Sequence, residues 1–263
     1  MICMSIQVLV ASMNQKDHSL LGEMNIQTDA IIGNQCDRNE IEEFNYKGNN
    51  IKYLSFNERG VGLNRNNTLM RASADICVLA DDDIVFVDGY AEKIEKWFNE
   101  NPQADVIIFN FIEESKKRYV IKKEFKVGYH NFMKFGATRI AFRRKSITRA
   151  GITFNLHFGG GAEFSAGEDT LFLNDCLKKG LNILAVPEFI ATLSDSRESS
   201  WFQGYTEKFF TDRGALFAAV SKRWAWIICL QFAIRRRKKF NKEKTWFEAF
   251  RLMLKGVDMF NNK

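Results

Sequence analysis

The segment Ile76-Cys77-Val78-Leu79-Ala80-Asp81-Asp82-Asp83 decides the fold. Five apolar residues are too few for a helix and suit a strand buried on both faces, and the run ends abruptly in three acids. Similar short runs precede it at 6–11, 30–33 and 51–56, and another follows at 106–109. Between the third and fourth runs lies a helical stretch, 62–74. After the fourth comes a second, 90–99, with Ile94, Trp97 and Phe98 on one face. Strands alternating with helices imply a mostly parallel sheet covered on both sides. Ligands of such sheets bind beyond the carboxyl ends of the strands, which is where Asp81 begins.

Further along, the alternation loosens. A strand is expected at 138–142, then the glycine-rich Phe158-Gly159-Gly160-Gly161, a helix over 168–179 stopped by Gly180, and two strands at 182–186 and 190–193. Beyond residue 194 the chain reads as helical, aromatic and basic, with Trp246, Phe250, Met253, Val257 and Phe260 on one stripe. The expected division is a catalytic unit over 1–195 and a C-terminal helical, basic region over 196–263. Within the first unit, about 1–110 form one half and about 111–195 the other.

Composition narrows the class. In 263 residues with 46% hydrophobic content, disorder is excluded, and two prolines leave no Pro-rich linker. The five cysteines are scattered without zinc-site spacing, which suits free thiols in a reducing compartment, and the N-terminus runs into a strand instead of a leader. A cytoplasmic protein is expected. The net charge of +6 is concentrated late, above all at Arg235-Arg236-Arg237-Lys238-Lys239.

Three groups carry candidate chemistry. Two carboxylates about 4 Å apart repel by roughly 4 kcal/mol at an effective dielectric near 20, so the aspartate run calls for a cation. Mg²⁺ or Mn²⁺ takes oxygen ligands and bridges carboxylate to phosphate, which makes Asp81 to Asp83 a place to hold a nucleotide diphosphate. The plainer reading, a solvated acidic turn before a helix, is weakened by the position at a strand end. Arg65, in Gly60-Val61-Gly62-Leu63-Asn64-Arg65-Asn66-Asn67, offers a fork of donors to a phosphate, or is an exposed residue of a helix start. Glu168-Asp169 opens a helix beside a glycine; the pair serves the helix dipole or supplies a general base. No Gly-x-Gly-x-x-Gly or Walker loop is present, which argues against a dinucleotide oxidoreductase and a P-loop enzyme.

Taken in order, Val8-Leu9-Val10-Ala11-Ser12, Gly62 to Asn67, Leu79-Ala80-Asp81-Asp82-Asp83 and Gly167-Glu168-Asp169-Thr170-Leu171-Phe172 resemble family 2 glycosyltransferases. The likeness is greatest to bacterial enzymes of surface-polysaccharide or lipopolysaccharide assembly, and it covers roughly the first 195 residues. It implies a GT-A, Rossmann-like α/β fold and an inverting hexosyltransferase that uses a nucleotide-diphosphate sugar, of the UDP type, with Mn²⁺ or Mg²⁺. It places Ser12, Asp37, Arg65, Asp81 and Asp82 at the donor, Asp81 and Asp83 on the metal, and Asp169 with Glu168 at the base. Three adjacent aspartates leave the register of the metal motif open. The acidic pair that often ends the second strand is here Asn34-Gln35-Cys36-Asp37, with Asp37 the one carboxylate. Val220-Ser221-Lys222-Arg223-Trp224 lacks the glutamine of the processive motif, so transfer of a single sugar is expected.

His157 is a candidate third metal ligand or a structural histidine, and Trp201 and Phe202 are candidates to stack on a sugar or to pack the tail. The apolar run 224–234 is shorter than the ~20 residues of a membrane span. Joined to 235–239, it suits a helix lying on an anionic membrane, bringing the enzyme to a glycan or lipid-linked acceptor at the cytoplasmic face of the inner membrane. Nucleic acid is not an expected partner. Two alternatives stand beside this reading: a sugar-phosphate nucleotidyltransferase, which wants a phosphate loop that Ser12-Met13-Asn14-Gln15-Lys16 does not supply, and a non-catalytic basic binding protein.

Overall fold

The computed structural model describes residues 3–113, 119–193 and 204–262. Ten strands form one sheet: β1 (Ile6–Met13), β2 (Asp29–Gln35), β3 (Glu40–Tyr46), β4 (Asn49–Phe56), β5 (Ile76–Asp81), β6 (Ile84–Phe86), β7 (Val106–Ile112), β8 (Phe125–Val127), β9 (Ile140–Arg143) and β10 (Ile183–Leu193). Their order is β3-β4-β2-β1-β5-β9-β7-β10-β6, with β8 set against β10. The half that ends in the aspartates, β4-β2-β1-β5, is parallel throughout, in register from Gln7 opposite Asp29 and Ile6 opposite Ile76. β9 then runs antiparallel between β5 and β7. The result is the expected α/β fold, a mostly parallel central sheet flanked by helices.

The parallel strands form because they are apolar at every position. Val8 and Val10 pack on one face with α1 (Leu20–Glu23) and α3 (Tyr90–Glu100), which buries Tyr90, Ile94 and Phe98. Leu9 and Leu79 point to the other face and join Leu69 of α2 (Val61–Arg71) and Phe172 of α5 (Glu168–Lys178). Between β9 and α5 lies the short α4 (Arg144–Ala150). Four of the five cysteines are buried and all are free thiols.

Two expectations are corrected. The runs 182–186 and 190–193 are one strand, β10, which follows β7 through register shifts between Ala185 and Phe189 and between Phe189 and Ala191. Pro187 has no amide hydrogen to give a ladder, so the strand crosses it as an irregularity instead of breaking. β3 was not foreseen: it is an edge strand, antiparallel to β4, with Glu40, Ile41, Glu43 and Asn45 exposed. Its exposed, Glu-rich composition carries no buried apolar run.

The tail consists of α6 (Glu207–Val220), α7 (Ala225–Phe240) and α8 (Trp246–Asn261). α6 belongs to two cores. Ala215 and Leu216 join the sheet's core, while Phe210, Phe217 and Ala218 join Cys229, Ala233, Ala249 and Met253 in a core of the tail's own. α6 and α8 touch backbone to backbone at two glycines. A methyl on Gly214 would run into the Met253 carbonyl, and one on Gly256 into the Thr211 carbonyl. On the predicted stripe Met253 and Val257 are buried, whereas Trp246 at its start is exposed. The expected domain division near 195, and Trp201 and Phe202, lie outside the described residues.

Candidate active site

The site is organised by Arg65, whose guanidinium is 4% exposed. One terminal nitrogen donates to Asp81 Oδ1 at 2.7 Å and the other to Glu168 Oε1 at 2.8 Å. α2 delivers Arg65 from one side, the end of β5 delivers Asp81, and the first turn of α5 delivers Glu168. Burial disfavours the charged guanidinium, but Asp81 and Glu168 outweigh it and hold its pKa above the usual value. Arg65 also lies over the Phe154 ring, 5.5 Å from its centroid. A lysine, a point donor, has no second arm for this bridge.

Two glycine-bearing loops make the bridge possible. Val61 N donates to Gly160 O at 2.9 Å, so the 159–161 loop docks on the start of α2. Gly159 adopts φ 106°, and a side chain there would meet the Glu168 carboxylate and Val61. Backbone at this point must pass where only glycine fits.

Asp169 sits beside the bridge, partly buried, with Oδ1 accepting the Thr170 amide at 2.6 Å. Burial, then the negative charge of Glu168, pushes its carboxyl up to about 6, against the opposing pull of the Thr170 amide and Arg65. A carboxylate tuned towards neutrality suits proton acceptance near physiological pH.

The aspartates follow directly. Asp81 is 38% exposed, with Oδ1 on Arg65. Asp82 Oδ2 accepts from Gln15 Nε2 at 3.2 Å, and the Gln15 backbone is clamped in turn to the Asn34 side chain at 3.0 Å in both directions. Asp83, partly buried, closes the turn into β6. Among the described residues no three His, Cys, Asp or Glu side chains converge on one point. Carboxylates alone at this turn fit a hard cation that takes its remaining ligands from water and donor phosphate, the usual habit of Mg²⁺.

Three predicted residues stand elsewhere. His157 is exposed and lines a groove of about 850 Å³ with Asp175, Lys178, Lys222 and Arg223, so it does not complete a metal site with Asp81 and Asp83. Ser12 is 3% exposed and donates its hydroxyl to Gly33 O at 3.1 Å, so it belongs to the sheet and not to a donor cleft. Asp37 lies just past β2, where its carboxylate accepts from Arg59 at 2.6 Å; its side chain is 90% exposed. Gln15 and Arg213 of α6 went unforeseen: neither belongs to a motif, and only folding brings them to the site.

The sequence model for glycosyl transferase family 2 matches residues 31–161, about half of the chain. This chain belongs to that glycosyltransferase family. The family 2 enzyme also shares its architecture with solved structures. S. aureus TarS 1-349 in complex with UDP-GlcNAc aligns with a TM-score of 0.67 at 14% identity, covering 98% of this chain and 84% of that one. The same fragment in complex with UDP gives 0.64 at 14% identity, covering 98% and 83%. Against the longer TarS structure the score is 0.64 at 14% identity, and the chain spans 50% of that length. At such identity the likeness establishes the GT-A fold. No curated protein matches in sequence.

Proposed function

We propose that this glycosyltransferase moves one sugar from a nucleotide-diphosphate donor to an acceptor hydroxyl with inversion, using Asp169 as the base. The observation that carries the reading is the Arg65 bridge, which fixes the end of β5 and the start of α5 against each other. It ties the aspartate turn, where a donor diphosphate belongs, to a base whose carboxyl is pushed up to about 6. Asp169 takes the acceptor proton, the acceptor oxygen attacks the anomeric carbon, and the bond to the diphosphate breaks as nucleoside diphosphate leaves. Fixing both groups in advance supplies orientation that solution chemistry lacks.

In this reading Asp81 and Asp83 hold Mn²⁺ or Mg²⁺, which when bound offsets the charge of the leaving diphosphate. Asp37, exposed beyond β2, faces the nucleoside end. Uridine is the favoured base, since TarS carries UDP-GlcNAc and UDP in its complexes. Residues 1–110 would serve the donor and 111–195 the acceptor. Surface-glycan assembly at the cytoplasmic face of a membrane remains the setting favoured by the tail. None of the helices in the described residues is long and apolar enough to cross a membrane. α7 nevertheless exposes Trp226, Ile227 and Ile234, with half-buried Leu230 among them, on the side away from buried Ala225, Cys229 and Ala233, and exposed Arg237 and Lys238 flank that stripe. An apolar stripe edged by cations fits an anionic bilayer surface.

The test is a screen of nucleotide sugars with purified protein and Mn²⁺, reading donor binding and nucleoside diphosphate release with and without envelope glycolipid. Metal-dependent binding of one donor, weakened in Asp83→Ala, supports the reading; binding of no donor overturns it.

A further inference from the structure

Arg213 is out of keeping with the other cations near the site. It projects from α6 into a crevice lined by Ser165, Ala166, Phe209, Asp212 and Leu216. Its guanidinium lies 5.3 Å from the Phe209 ring centroid and 5.7 Å from that of Phe232, held between an aromatic of α6 and one of α7. Among the described residues it makes no ion pair and no hydrogen bond. Asp212, adjacent on the same helix, is already engaged: its Oδ2 accepts from the Ser165 hydroxyl at 2.5 Å and from Lys208 at 2.9 Å. Guanidinium groups set apart from water are ordinarily paired, so donors left without an acceptor here need an explanation.

The location supplies one. Leu216, one turn along α6 from Arg213, packs against Gly167, the residue immediately before Glu168 and Asp169. Burial lowers the pKa of Arg213; the charge of Asp169 opposes that, and Arg236 of α7 adds to it. Arg213 thus lies within electrostatic reach of the candidate base on one side and of the basic run of α7 on the other. Aromatic faces orient a guanidinium without neutralising it, leaving its fork for a planar or tetrahedral oxyanion.

We infer that Arg213, backed by Arg236, is a binding site for a phosphate group carried by the acceptor, placed so that an adjacent hydroxyl comes to Asp169. The inference rests on the proposed role of Asp169. It assigns the acceptor a chemical class, a phosphate-bearing alcohol, whether the phosphate is part of a polymer or of a lipid carrier. Phosphate matches the site better than carboxylate because two cations converge from separate helices. The site also explains why α6 is shared between the sheet's core and the tail's own: that packing sets the phosphate-binding arginine at a fixed distance from the base.

The test uses the full chain and two probes, inorganic phosphate and glycerol 3-phosphate, with binding followed by calorimetry at low ionic strength. UDP affinity with Mn²⁺ is measured in parallel, because it reports on the donor site alone. Arg213→Gln should weaken both probes at least tenfold and Arg236→Gln by a smaller factor, with UDP affinity unchanged. Asp169→Asn should tighten the probes by removing a nearby negative charge. Arg213→Lys, which keeps the charge and loses the fork, should fall between wild type and Arg213→Gln, and it serves if the glutamine variant folds poorly. Equal probe affinity in wild type and both Arg213 variants, or no probe binding by wild type, overturns the inference. Loss of UDP binding in wild type would instead strike the donor reading and leave the phosphate result to be judged by itself. If glycerol 3-phosphate binds and competes with an envelope glycolipid acceptor, the source is a lipid-linked phosphate; competition confined to a soluble polymer identifies the other source.

Discussion

The parallel half of the sheet and the three-helix tail solve the same problem by opposite means. In β1, β2, β4 and β5 almost every side chain is buried, and stability comes from apolar surface removed from water on both faces. In the tail, α6 and α8 approach through Gly214 and Gly256, backbone against backbone, while Trp224, Trp226, Trp246 and Phe247 remain exposed. The sheet gives its interior to packing and its strand ends to chemistry. The tail gives its interior to close approach and leaves its large apolar side chains facing outward, towards something outside the chain.

The largest expected effect separates chemistry from stability within the sheet half. Asp169→Asn should lower transfer by about 10²- to 10⁴-fold while donor binding persists, measured by single-turnover assay against UDP affinity. The sign for stability is the reverse. The folded-state pKa of Asp169 lies above its value of 3.8 in the unfolded chain, so protonation favours the fold; that contribution is complete below 3.8 and lost as pH rises through about 6. At pH 7 the ionised group is therefore a net cost, and the asparagine variant should melt no lower than wild type. A lower melting temperature would count against the burial described here. The same shift predicts an acid limb near pH 6 in kcat/KM, displaced downward in Glu168→Gln, which removes the like charge.

Next comes the bridge. Arg65→Met leaves Asp81 and Glu168 facing each other without a cation, and breaking a buried pair in this way costs about 3–5 kcal/mol. Denaturant unfolding should show the loss, and hydrogen exchange should place it at α2 and the start of α5, with the tail helices unaffected. Arg65→Lys should recover part of the stability and little of the transfer. An unchanged transition midpoint in Arg65→Met would remove the bridge from its structural role.

The tail offers the complementary break. Gly256→Ala forces α8 away from the Thr211 carbonyl, a strain of about 1–3 kcal/mol. Protection should fall in α6 and α8 while β1, β2 and β5 exchange as before; uniform loss across the sheet would mean the two regions are not separable. The smallest effect concerns the outward face. Replacing Arg237 and Lys238 with glutamine should weaken binding to anionic vesicles by about fivefold for each charge removed, roughly 1 kcal/mol apiece, with no change on neutral vesicles. Equal flotation of wild type and variant would place the exposed stripe against some other surface.

These differences also mark what was legible in the sequence. The parallel strands stood out because burial on both faces writes a continuous apolar run, and the Asp81 to Asp83 turn stood out because acids at the end of such a run are conspicuous. β3 hid because a half-exposed edge strand spelled with glutamates looks like a loop. β10 was split in two by Pro187-Glu188, a break in apolar pattern that the backbone crosses with a register shift. Arg65 was readable as a cation near phosphate chemistry, but its partners lie 16 and 103 residues away, and no spacing rule reports a contact of that span. His157 misled for a related reason: nearness in sequence to the glycine loop did not place it on the aspartates' side of that loop.

The strand that escaped notice has a bearing on how the protein behaves at high concentration. A ten-stranded sheet open at both margins is a template on which further chains could add, and the two margins are blunted differently. At one end β6 is only three residues long. At the other, Glu40, Glu42 and Glu43 line β3, so a second copy docking there edge to edge would set acid against acid. In a chain that is basic overall, this acidic border acts as a safeguard against fibre growth, and neutralising it would favour aggregation before it disturbed the active site.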